Sequence, residues 1–310
     1  MGLRYLIALG VLLAGLWPAV AGAGVQVRDS EGVHHFARVP QRVVALSWES
    51  AESLLELGVT PLAVADAVDY RVWVVQPALP APVRSAGSRL EPNLELLAEL
   101  KPDLIIISPI MRDLLPQLSR IAPVLNFDSY RNDHDNAVAA REAYLQLGEV
   151  FDRRALATQR LAQLDRRFAA LDAQLRQHFG PHLPQVNVIR FASPAVAYRY
   201  GDNSMPLHAL QRLGLATSRS RAASAWGVTQ LKVADLGQLG DSIVLYQQPF
   251  AQGARLFGTP LWRAMPFVRG QRFAAVRSTW SYGGYFSLYY LARAMTEALL
   301  TLPPPTRAAR

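Results

Sequence analysis

Residues 91–107, EPNLELLAELKPDLIII, and residues 231–245, LKVADLGQLGDSIVL, repeat one order: a short amphipathic helix, a polar stop, then an unbroken apolar strand. A strand with no polar position is buried on both faces, and a sheet covered by helices on both sides is what provides that burial. Strands of this kind alternating with helices imply βαβ units and a parallel sheet. The same unit in both halves of the chain therefore calls for two sheets and two α/β lobes.

The rest of the first half fits the pattern. Arg42 to Leu46 (RVVAL) reads as a buried strand, Ala51 to Leu57 as a helix stopped by Gly58, and Pro61 to Ala65 as the next strand. Pro92 stands where a first helical turn tolerates it, Leu94, Leu97 and Leu100 share a face, and Lys101-Pro102-Asp103 ends that helix before the strand Leu104 to Ile107. Strand and helix alternate again between Gln117 and Phe127.

Residues 136–179 have few helix breakers and many arginines and alanines. The region around Gly148 and Asp152 divides them, leaving Arg153 to Phe179 as one helix of roughly 40 Å at 1.5 Å per residue. Phe168, Leu171 and Leu175 do not extend to a heptad seam over several repeats, so a rigid spacer is expected rather than a coiled coil. Beyond Gly180-Pro181 come a strand at Val186 to Phe191, a helix at Met205 to Leu213, another at Val233 to Leu239, and a strand at Ser242 to Tyr246. The expected organisation is a first α/β lobe over 24–152, a linking helix over 153–179 and a second α/β lobe over 180–310. A ligand site is expected between the lobes.

Residues 1–23 follow a different logic. Arg4, the thirteen-residue apolar run Tyr5 to Trp17 and the small residues Ala21-Gly22-Ala23 read as a cleaved export signal. The run is shorter than the ~20 residues a membrane span needs. Export through the general secretory route to a periplasm follows, since no twin arginine precedes the run. Losing Arg4 would lower the formal charge from +8 to +7. With no cysteine there is no disulfide, no thiolate metal site and no lipid-modified cysteine. The arginines are dispersed and alternate with acids, which argues against nucleic acid. No feature calls for an oligomer, and a monomer not inserted in the membrane is expected.

Catalytic motifs are missing: there is no G-x-S-x-G, H-E-x-x-H, G-x-x-x-x-G-K or G-x-G-x-x-G. A nucleophile–base candidate such as Ser204 with His208 reads as a helix start. His178 and His182 have chelating i,i+4 spacing, but Gly180-Pro181 between them breaks the helix that spacing requires. No catalytic residue and no protein-held metal is therefore assigned.

Aromatic residues say more. Of Trp48, Trp73, Trp226, Trp262 and Trp280, four follow expected strands or lie in connections, where open α/β folds bind ligands. The stretch STWSYGGYFSLYYLARAM, residues 278–295, carries six aromatics in eleven positions and no acid. Trp280 and Tyr282 precede its helix and are expected to face a ligand, whereas Phe286, Tyr289 and Tyr290 have core spacing and Tyr285 fits either role. Arg89 lies in a loop before the helix at Pro92, either paired with Glu91 or free to donate to ligand oxygens.

RVVALSWESAESLLELGVTPLAVADAVDYRVWV (42–74), GSRLEPNLELLAELKPDLIIIS (87–108), YGDNSMPLHALQRLG (200–214), TPLWRAMPFVRGQRF (259–273) and TWSYGG (279–284) resemble segments of periplasmic ferric hydroxamate siderophore-binding proteins. These are ABC-transporter substrate-binding proteins of the class with a helical backbone. The resemblance runs from about Arg42 to the C-terminus. EPNLELLAELKPDLIII marks the wider class, and VDYRVWV, TPLWRAMPFV and TWSYG narrow it to the hydroxamate branch.

The resemblance implies a shallow pocket in which Arg89 bonds hydroxamate oxygens and Trp48, Trp73, Trp226, Trp280 and Tyr282 form an aromatic wall. Met111 stands where better-known members carry a tyrosine donor, with Arg112 beside it, and Ser281 where an aromatic is usual. Glu95 takes the place of an acid that contacts the membrane permease, and Asp235 is the nearest candidate for its counterpart in the second lobe. No cofactor is implied, because iron(III) would arrive already wrapped in its siderophore. The partners implied are that siderophore, the inner-membrane permease and its ATPase. Carriers of ferric citrate, a catecholate siderophore or cobalamin, and a secreted siderophore hydrolase, are the alternatives.

Overall fold

The computed structural model describes residues 24–218, 222–224 and 226–304. The expected export signal at 1–23 lies outside the described residues. Among those described, no helix is long and apolar enough to cross a membrane.

An antiparallel hairpin, β1 (Val25–Arg28) and β2 (Val33–Phe36), opens the chain. The first lobe is built on β3 (Val43–Ala45), β4 (Ala63–Val64), β5 (Arg84–Ser85), β6 (Leu104–Ile107) and β7 (Val124–Asn126). They pair in the order β5-β4-β3-β6-β7, all parallel. Between them run α1 (Trp48–Glu56), α2 (Ala67–Trp73), α3 (Leu94–Leu100), a 3-10 turn (Pro109–Leu114) and α4 (Leu115–Leu118). The four residues of β6 are all buried, as its unbroken apolar sequence requires. Ser47 and Asn93 cap α1 and α3 by accepting from the backbone N–H three residues on.

Next come α5 (Asn136–Val150) and α6 (Arg154–Phe179), separated by Asp152 at φ 52°. α6 has 26 residues and is the expected linking helix. Its buried residues are Ala157, Leu161, Leu164, Phe168, Leu171, Leu175 and Phe179, spaced alternately by four and three over most of its length. Contrary to the sequence-based expectation, the apolar seam is sustained. It faces α5 and the C-terminal helix of the same chain instead of a coiled-coil partner.

The second lobe contains β8 (Val186–Phe191), β9 (Val196–Tyr200), α7 (Met205–Arg212), β10 (Val228–Lys232), a 3-10 segment (Val233–Leu239) and β11 (Ile243–Gln247). α8 (Gly253–Phe257), α9 (Pro260–Arg263), α10 (Pro266–Arg269), β12 (Phe273–Val276) and α11 (Ser287–Leu299) follow. Its sheet order is β10-β9-β8-β11-β12. β8, β11 and β12 are parallel, while β9 and β10 are antiparallel additions. Val233 to Leu239 is a 3-10 segment and not the α-helix its spacing suggests.

The lobes share a junction. Phe286, from the segment after β12, is buried in the first lobe's core against Tyr144. Tyr289 and Tyr290 pack against the same core, and Tyr285 lies against the cores of both lobes. Polar groups reinforce this contact. Glu52 of α1 is fully buried and accepts from the backbone N–H of Gly284 (3.1 Å) and Ser287 (2.8 Å) and from the Ser287 hydroxyl. One turn on, Glu56 accepts from Arg160 Nη1 at 2.8 Å and from the Tyr290 hydroxyl. A Cβ on Gly283 would fall 1.8 Å from Ser287 Oγ and 2.5 Å from Glu52 Oε2, so only glycine fits there.

Candidate functional site

The connections after β3, β4, β5, β6 and β7 meet the segment after β12 around a cleft of about 720 Å³. Such a position, beyond the carboxyl ends of parallel strands, is where α/β sheets leave room for ligands. Its wall includes Arg89, Leu90, Ile110, Trp226, Trp280 and Tyr282. Leu90, Ile110 and Trp226 are three of the large apolar residues the molecule leaves exposed, with Trp226 at 55%. Exposed apolar side chains gathered in one concavity mark a binding surface.

Arg89 is held by its own loop. Gly87 has φ 86°, and a Cβ there would fall 2.7 Å from both Asn93 N and Glu91 O. The resulting tight turn is closed by Ser88 N donating to Glu91 O and Asn93 N donating to Ala86 O. Arg89 N and Nε then both donate to Asp66 Oδ2 at 3.0 Å. Asp66 itself follows β4 in the left-handed conformation, φ 49°. Arg89 is therefore paired with Asp66 and not with Glu91. Its guanidinium carbon lies 3.6 Å from the Trp48 ring centroid and 5.4 Å from that of Trp280. Neither terminal nitrogen bonds to a described residue, which leaves a fixed pair of N–H donors at the cleft.

The structure brings together Arg89, Trp226, Trp280 and Tyr282, and separates the other expected wall residues from them. Trp48 is 1% exposed and is no part of the cleft surface. It starts α1 directly after β3, so its ring turns inward, where Nε1 donates to the Ala65 carbonyl at 2.9 Å. From there it supports Arg89. Trp73, at the end of α2, packs against the first lobe's core away from the cleft lining. Met111 is 1% exposed because the 3-10 turn points it into the core and presents Ile110 to the cleft. Arg112 leaves the site to pair with Glu31 at 3.0 Å.

A chain of edge-to-face ring contacts crosses the cleft floor: Trp48 to Trp280 at 4.7 Å, Trp280 to Tyr282 at 5.5 Å, and Tyr282 to Trp226 at 5.9 Å. Ser281 points the other way. Its hydroxyl donates to Gln247 Oε1 at 2.7 Å in a buried group with Tyr200, and so fixes the loop that presents its two aromatic neighbours. Trp226 lies in the connection between α7 and the antiparallel β10. Trp262 is buried among Phe257, Phe267 and Phe273 in the second lobe.

Carboxylates also reach the cleft, from Glu49, Asp66 and Asp128. Burial pushes the Glu49 carboxyl up to about 7, with Arg89 drawing it back. Burial likewise raises the Tyr130 and Tyr282 phenols, so at neutral pH both keep their protons. Glu95 is exposed in the first turn of α3, and Asp235 is exposed in the 3-10 segment of the second lobe.

Hydrolytic chemistry finds no support in the candidate pair. Ser204 Oγ caps α7 by accepting from Leu207 N, and His208 Nε2 faces Asp135 at 3.6 Å. His178 bonds the Leu302 carbonyl. Among the described residues no three His, Cys, Asp or Glu side chains gather as a metal site.

A two-lobed α/β molecule with an aromatic cleft between the lobes is built to hold a ligand. Residues 43–227, more than half of the chain, match the family model described as periplasmic binding protein, and the chain belongs to that family. Among its relatives is the iron(3+)-hydroxamate-binding protein FhuD of Escherichia coli, 32% identical over 268 residues covering 86% of this chain and 89% of the relative. The structure of FhuD from Vibrio cholerae with Fe3+-Desferal bound superposes with a TM-score of 0.84 at 40% identity, covering 85% of this chain and 99% of that one. The catecholate-siderophore-binding protein VctP of Vibrio cholerae superposes with a TM-score of 0.67 at 19% identity, covering 90% and 99%. That last likeness is one of fold alone.

Proposed function

We propose that the protein binds ferric hydroxamate siderophores in this cleft and delivers them to an inner-membrane ABC permease and its ATPase for iron uptake. The observation that carries the reading is Arg89, fixed by Asp66 and Trp48 with its terminal nitrogens free, beside Trp226, Trp280 and Tyr282. A trihydroxamate surrounds iron(III) with six oxygens, so the protein need supply no metal ligand. It must offer donors to those oxygens and apolar faces to the organic backbone, and the cleft offers both. The two FhuD relatives support the same assignment.

On this reading the ligand leaves unaltered, and the protein is a carrier and not an enzyme. It works in the periplasm after losing residues 1–23, with lobes over 24–152 and 180–310 on either side of the helix 153–179. Glu95 and Asp235 are the acids offered to the permease. The many contacts across the lobe junction fit small movements on binding.

Titrating the purified protein with ferrichrome, ferric citrate and cobalamin tests the assignment. Saturable quenching of tryptophan fluorescence is expected with ferrichrome alone, because Trp226 and Trp280 line the cleft. Saturation by citrate or cobalamin instead would remove the hydroxamate assignment.

A further inference from the structure

We infer that the carboxylates of Glu49 and Asp128 form a second recognition element in the cleft, one that selects ferric hydroxamates bearing a positively charged pendant group such as a primary ammonium. This inference rests on the ferric hydroxamate reading of the same cleft.

Charge distribution carries it. The chain has 32 basic and 24 acidic residues, yet the charged residues lining the cleft are Glu49, Asp66, Asp128 and a single arginine, Arg89. Asp66 is committed to Arg89 through both hydrogen bonds. Asp128 has only Arg131 nearby, at 3.9 Å, and the Arg131 guanidinium is engaged by Asp133 through both Nε and Nη2. Glu49 has no ion-pair partner among the described residues. Asp128 is thus left to act on whatever enters, joined by Glu49 to the extent that it is ionised beside Arg89, between apolar walls that include Leu90 and Ile110 and weaken screening by water.

A bound complex meets two demands at once. Its chelating oxygens take the Arg89 donors, and any charge it carries meets a field made negative by Glu49 and Asp128. Citrate and catecholate complexes of iron(III) are anionic and are repelled by the same field that attracts an ammonium. An amine at the end of a flexible arm lies outside the chelate, so it can approach the carboxylates without disturbing Arg89.

Ferrioxamine B, which carries a pendant ammonium, and its N-acetyl derivative, the same chelate without the charge, isolate this effect. At low ionic strength the amine form is expected to bind about fivefold more tightly, the size of a part-exposed charge interaction. Added salt should shrink the ratio. Glu49→Gln with Asp128→Asn should abolish the ratio between the two forms, and Asp128→Asn alone should reduce it. Equal affinities in the unaltered protein, or a preference that survives the double substitution, would overturn the inference and leave the hydroxamate reading standing. Failure of both chelates to bind would sink the two together.

Discussion

Arg89→Ala is expected to weaken binding of a ferric hydroxamate by about a hundredfold without lowering the melting temperature appreciably. Two charge-assisted hydrogen bonds to the ligand would go, each worth about 1.5–3 kcal/mol, and not all of that is recovered by water. The loss has a second source. Asp66 Oδ2 would be left beside the cleft without the two donors that neutralise it, adding repulsion toward ligand oxygens. Arg89→Lys should restore little, since an ammonium can neither keep the bond from Nε to Asp66 nor lie flat at 3.6 Å over Trp48. Fluorescence titrations of both variants check this. Unchanged affinity in Arg89→Ala would mean that the guanidinium does not touch the ligand.

The largest effect on stability is expected at Glu52. Truncation to alanine leaves the Gly284 and Ser287 N–H groups and the Ser287 hydroxyl buried without an acceptor, at a cost of about 3 kcal/mol or more. Because those groups lie just after Trp280 and Tyr282, the ligand-facing loop should loosen with the fold. Glu52→Gln keeps the shape and one acceptor, so it should cost much less and should also change the pH dependence. Burial raises the Glu52 carboxyl from 4.5 to about 8, so the folded protein binds a proton there that the unfolded chain has released. Its contribution is therefore fully present below pH 4.5 and declines as pH rises to about 8. Glu49, raised to about 7, adds a decline of the same sign ending lower. Denaturant unfolding across pH 5 to 8 should be flatter in Glu52→Gln than in the unaltered protein; identical slopes would show that Glu52 is ionised throughout.

Much of the architecture was legible because it is written in local signals. β6 is an apolar run, α3 has its proline and asparagine at the start, and α6 lacks breakers. What escaped depends on distant partners. β9 and β10 pair antiparallel at the edge of a sheet whose other strands are parallel, and nothing in their short sequences states a direction. The seam of α6 was underestimated because Ala157, Leu161 and Leu164 complete it through contacts within the chain.

The site divides in the same way. Arg89 could be found because a tight glycine turn and a capped helix bracket it in sequence. Asp66, its partner, lies 23 residues earlier and gives no local sign of the pairing. Trp48 and Met111 show the limit of counting residue types: each follows a strand closely, as a ligand-facing residue would, and each is turned inward by the helical turn that starts there. Glu52 gives no local sign of its burial, because its donors come from the C-terminal segment more than two hundred residues later.

Anomalous diffraction at the iron edge, from crystals of the protein with ferrichrome, tests the central claim most directly. One iron peak is expected in the cleft, with hydroxamate oxygens on the Arg89 terminal nitrogens, the siderophore backbone against Trp226, Trp280 and Tyr282, and no protein atom bound to the metal. A peak elsewhere, or iron ligated by Glu49, Asp66 or Asp128, would contradict it.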